Sequence, residues 1–164
     1  MLETNIDDFI INTLSEDAQK NALEFVAFLE ANEMLFERGE GYWKDKLYWV
    51  IKYKKEHVCF ILMNGAEDES ENEGWTIWSD DSDSNCFADF PLDEHLREIA
   101  WENVDICANC GSCNNPGGTM KRVFGKEFNH VCITTMKFIN PDSDALKCVK
   151  KIVELRKNGI LSDI

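Results

Sequence analysis

The 164-residue sequence predicts an α+β fold, a twisted antiparallel sheet of about five strands covered by helices, in a single domain. Three observations predict it. Two runs rich in aromatic and β-branched residues, "LYWVIKY" (47–53) and "HVCFILM" (57–63), are separated by only three residues, as in a hairpin. Apolar residues recur at helical spacing in 15–32, 91–104 and 140–158. Strands joined by short turns pair antiparallel, which leaves the helices to cover one face of the sheet. The domain of 1–164 divides into an N-terminal helical segment (1–36) and a sheet-and-helix core (42–158).

The elements follow in order. "IDDFIINTL" suggests a short first helix. In "SEDAQKNALEFVAFLEAN" Ser15 is placed to cap a second, and Ala18, Ala22, Phe25, Val26 and Leu29 form its stripe. "ERGEGYW" (37–43) reads as a connection. After the hairpin and an acidic loop (64–74), "WTIWS" (75–79) is a third strand, followed by the acidic turn "DDSDSN". "PLDEHLREIAWENV" (91–104) reads as a helix with Pro91 in its first turn. "MKRVFG" (120–125) and "HVCITTMKFI" (130–139) read as two strands around a "GKEFN" turn. The last helix is expected to have Asn140 as N-cap, Pro141 at its first position and Gly159 as its stop.

Composition narrows the function classes. Hydrophobic residues make up 44% of the chain, enough for a packed core rather than disorder. The net charge is −14, and it is uneven: residues 1–100 hold 8 Lys/Arg against 24 Asp/Glu, and residues 101–164 hold 9 against 7. An acidic surface repels phosphate backbones, so nucleic acid is not an expected partner, whereas small cationic ligands are compatible. No apolar run approaches the roughly 20 residues of a membrane helix. The N-terminus lacks the positive region of a secretion signal, so no membrane partner and a cytoplasmic location are expected. Seven cysteines in a reducing compartment are core residues, metal ligands or reactive thiols, rather than a disulfide framework.

The most specific motif is "CANCGSC", which spaces Cys107, Cys110 and Cys113 by two residues each. Such a turn brings thiolates to one side, and Gly111 eases its bend. A tetrahedral zinc site needs a fourth donor. Cys132 is the expected one, with His130 (on the same side of a regular strand) and Cys86 as alternatives. The spacing also fits three ligands of an iron–sulfur cluster, although the chain has Gly117 where a ferredoxin run would place its next Cys. A chain with no cofactor, its thiols simply buried, is the competing reading. Cys59 and Cys148 fall in apolar surroundings and read as core.

The other motifs carry less. Asp81, Asp83 and Asn85 begin like a calcium loop, but Cys86 stands where Gly is needed and Leu92 where Glu is needed. No nucleophile elbow, P-loop or zinc-protease motif is present, so no catalytic set is visible. Aromatic residues crowd the first three strands. Trp49 and Tyr53 alternate onto one face, and Trp75 and Trp78 have opposite faces. Beside acidic loops, these four rings would suit a cationic or aromatic ligand through cation–π contact, unless they simply build the core.

Several stretches together, "YWKDKLYWVIKY", "WTIWSDDS", "FPLDEHLREIAWENVDICANCGSC", "FGKEFNHVC" and "NPDSDALKCVKKIVELRKN", resemble uncharacterised bacterial α+β domains over residues 42–158. These are similar to YdhG-like proteins and to effector-binding-type domains attached to AraC-type regulators. The resemblance implies a twisted antiparallel sheet covered by helices and an effector-binding role. It supplies no activity and no catalytic residues. The resulting expectation is a non-enzymatic binding domain with a structural zinc, and the alternative is a thiol- or metal-responsive sensor built on Cys107, Cys110 and Cys113.

Overall fold

The computed structural model describes residues 6–39, 47–63, 75–79, 87–107 and 117–162. The chain opens with helices α1 (Ile6–Thr13) and α2 (Glu16–Ala31), then strands β1 (Leu35–Arg38), β2 (Leu47–Tyr53), β3 (Glu56–Met63) and β4 (Trp75–Ser79). Helix α3 (Glu94–Glu102), strands β5 (Val104–Ile106), β6 (Thr119–Val123) and β7 (Lys126–Ile139), and helix α4 (Ser143–Ser162) follow. The fold is α+β with an open antiparallel sheet, in the order β1-β2-β3-β4-β7-β5, and β6 pairs with β7.

The sheet has seven strands among the described residues, not about five. The additional two, β1 and β5, are four and three residues long. Strands so short have no periodicity of their own. They form because the edges of β2 and β7 offer unpaired backbone groups. Residues 37–38, expected in a connection, belong to β1.

Four local expectations are corrected. The β6–β7 turn is the pair Phe124–Gly125, both with positive φ (47° and 88°), so Lys126 to Asn129 are strand rather than turn. That backbone is the one a two-residue hairpin of matching twist requires. Pro91 lies before α3, whose N-cap position is Asp93. Asn140 does not cap α4. Its Oδ1 accepts from Trp75 N at 2.9 Å, and the Asp142 carboxylate instead accepts from Ala145 N at 2.8 Å. Gly159 does not stop α4, because Ile160, one turn beyond Arg156, returns to the buried face and carries the helix on to Ser162.

All four helices contribute to one core against one face of the sheet. Phe25, Val26 and Leu29 of α2 and Leu146, Val149, Ile152 and Val153 of α4 meet Trp49, Ile51, Ile61, Trp75, Ile77, Met136 and Phe138. Alternation sends Tyr48, Phe60, Leu62 and Trp78 to the opposite face, where they form a smaller cluster with Val50. The basic residues of α4 clasp α2, with Lys150 paired to Glu24 and Lys157 donating to Asn32 Oδ1. Among the described residues no helix is long and apolar enough to cross a membrane.

Candidate functional site

Strand β7 is the axis of the candidate metal site. Val131 pairs with Ile106 of β5 on one edge and with Thr119 of β6 on the other. Both ladders are interrupted there. One extra residue of β7 is inserted between its pairings with Thr119 and Lys121, and three between its pairings with Ile106 and Val104. His130 and Thr135 hold left-handed backbone, with φ of 59° and 68°. For a buried β-branched residue such as Thr135 that conformation is sparsely populated, and such bulges re-aim side chains. The left-handed φ at His130 also interrupts the regular alternation from which His130 and Cys132 were expected on one side.

The two ends of the cysteine loop meet at His130. On one edge Cys107 N donates to His130 O at 2.6 Å. From the other side, Gly117 O lies 2.9 Å from His130 Nδ1. Since a carbonyl only accepts, that contact puts the proton on Nδ1, and in the neutral ring Nε2 keeps its lone pair. A histidine that binds metal usually donates its other ring nitrogen in this way. Gly118 is packed so close that a Cβ there would sit 2.5 Å from the His130 carbonyl carbon, at φ +67°.

Cys107 and Cys132 are half-buried and His130 is exposed. Cys110, Cys113 and Cys86 lie outside the described residues, as does most of the acidic stretch from 64 to 86. Among the described residues no three His, Cys, Asp or Glu side chains are grouped to hold a metal ion. The described donors of the candidate set are therefore the thiols of Cys107 and Cys132 and the imidazole of His130. The set is chemically suited to zinc, which takes thiolate and imidazole alike. Cys59 and Cys148 are buried in the main core, as expected. Burial pushes the Cys148 thiol up to about 12, so it stays protonated and unreactive at neutral pH.

The four aromatic candidates are tightly packed. Trp49, Tyr53 and Trp75 belong to the main core, and Trp78 to the cluster on the other face. Three already carry a cation of the chain's own: Arg38 lies 5.4 Å from the Trp49 centroid, Lys157 lies 5.1 Å from that of Tyr53, and Lys137 lies 5.4 Å from that of Trp78. Trp75 meets Phe25 at 6.1 Å. A cationic ligand at these rings would have to displace side chains already there.

Sequence reasoning passed over another arrangement, around Trp101. The indole N–H donates to Val123 O at 2.7 Å, which fixes the ring against the β6–β7 hairpin. The Arg97 guanidinium carbon and Lys126 Nζ each lie 5.2 Å from its centroid. The spacing of Arg97 and Trp101, four residues apart on one helix face, was the available signal for half of it. Compared with known proteins, the chain matches no family model, no curated protein and no solved structure.

Proposed function

We propose that the chain is a non-enzymatic binding domain in which Cys107, Cys110, Cys113 and Cys132 hold a structural zinc ion. The observation that carries this reading is the double anchoring at His130, with Cys107 tied to one edge of β7 and Gly117–Gly118 to the other. Two strand spacings, roughly 10 Å, separate such edges. Covalent reach keeps Cys110 within about 10 Å of Cys107. The described ends of the loop, Cys107 and Gly117, meet at His130, two residues from Cys132. Bound zinc would add cross-linking free energy at an end of the sheet where most described residues of β7 from Lys126 to Cys132 are exposed or half-buried. His130 Nε2 is the alternative fourth donor.

The test is metal content and the visible spectrum of protein purified without oxygen or chelator, followed by melting with and without a chelator. About one zinc per chain is expected. The chelator should lower the melting temperature, and Cys110→Ser should do the same. A broad band near 400 nm together with iron would replace zinc by an iron–sulfur cluster. Metal-free protein whose melting ignores the chelator would sink the proposal. Retention of metal in Cys132→Ser but not in His130→Gln would assign the fourth position to the imidazole.

A further inference from the structure

We infer that Arg97 and Lys126, gathered on the indole of Trp101, form a binding site for the oxyanion of a small ligand, a carboxylate or a phosphate. Three observations away from the cysteine loop carry this. The first is crowding. Both cations lie 5.2 Å from one ring centroid, and Lys126 is equally close to Phe128. They are thus separated by no more than about a Debye length at 0.1 M salt, roughly 10 Å, and repel one another.

The second is the missing counter-charge. The chain has 31 acidic side chains against 17 basic ones, and Lys52, Arg122, Lys147, Lys150 and Lys151 each have a carboxylate within ion-pairing distance. On the same hairpin Arg122 meets Asp89 at 2.6 Å. On α4, Lys147, Lys150 and Lys151 pair with Asp144, Glu24 and Glu154. Arg97 and Lys126 have no carboxylate within ion-pairing distance among the described residues. The third is an orphan donor. Arg97 Nε is buried without a hydrogen-bond partner, a state that a bound acceptor relieves when the guanidinium turns toward it.

The chemistry selects the ligand. A guanidinium fork presents paired donors to a carboxylate or phosphate, and an adjacent ammonium adds a point charge. The fixed indole and Phe128 give the two cations apolar surface to lie against. A polyanion is disfavoured by the net charge of −14, which leaves a small singly or doubly charged group.

The test follows the Trp101 indole N–H signal, assigned with Trp101→Phe, in labelled protein at constant ionic strength. Sodium phosphate and sodium acetate are titrated in parallel, with sodium chloride as reference. A saturable shift with phosphate or acetate and none with chloride is expected. Arg97→Gln and Lys126→Gln should each weaken binding by about tenfold or more, while Lys147→Gln leaves it unchanged. Saturation by phosphate alone identifies a phosphoryl ligand, and by acetate as well, a carboxylate-tolerant site. Lys126 is exposed at the start of β7, so its variant answers the question even if Arg97→Gln does not fold. Shifts that are linear, equal in chloride, or unaltered by both substitutions would overturn the inference.

Discussion

The two ends of β7 are built on different terms. Its last residues, Lys137 to Ile139, pair in register with β4, and Met136 and Phe138 are sealed into the helix-covered core. Its first residues, Lys126 to Cys132, pair with a hairpin partner and a three-residue edge, across interrupted ladders, and all but Val131 are exposed or half-buried. One strand thus joins a region sealed into the core to a more exposed region that is tied to the same core through Val123, Phe124 and, in part, Phe128. Stability and local opening should separate along it.

The largest expected effect comes from the sealed end. Ile77 is fully buried on β4 opposite Phe138, and Ile77→Ala should cost about 2–5 kcal/mol of global stability through the cavity it leaves. Denaturant unfolding checks this. A loss under about 1 kcal/mol would mean that the helices do not hold the sheet as a rigid face. Gly118→Ala probes the other end. It forces left-handed backbone on alanine and drives a methyl into the His130 carbonyl, at a cost of about 1–3 kcal/mol if that contact is integral to the fold. Hydrogen exchange on the variant separates the cases. Faster exchange confined to Thr119–Val131 would show the open end yielding alone, and uniform acceleration would show that the two ends of β7 unfold as one unit.

The same contrast explains what could be read in the sequence. Strands β2, β3 and β4 were legible because their alternation is dense and their burial deep, and the opposite faces of Trp75 and Trp78 follow from alternation alone. The β6–β7 hairpin was legible only in outline. Its turn uses Phe-Gly in place of the Asn-Gly or Asp-Gly that announces a two-residue turn, so in the sequence the start of β7 reads as loop. The bulges at His130 and Thr135 have no sequence signature, since they arise from pairing on both edges of one strand. Of the candidate site, the spacing of Cys107, Cys110 and Cys113 was plain in the chain. The meeting of the loop's two ends at His130 was not, because it depends on which edge of β7 each segment joins.

A third substitution pair sharpens the comparison at the join between β7 and α4, where the sequence pointed to the wrong cap. Asp142→Ala removes a carboxylate that bonds one backbone N–H on the exposed first turn of α4, and should cost about 1 kcal/mol. Asn140 does more. Its side chain accepts from Trp75 N, its backbone N donates to Trp75 O at 2.8 Å, and it sits at φ 46°, where asparagine is tolerated better than alanine. Asn140→Ala should therefore cost more than Asp142→Ala, by about 0.5–1 kcal/mol. Equal losses in denaturant unfolding would mean that the Asn140–Trp75 contact adds nothing beyond the ladder. A smaller loss for Asn140→Ala would mean that the Asp142 cap, and not the Asn140–Trp75 contact, is the stronger tie at this join. The expected order makes this residue the clamp that fixes the regular end of β7 onto β4, and leaves the irregular end as the part of the strand expected to open first.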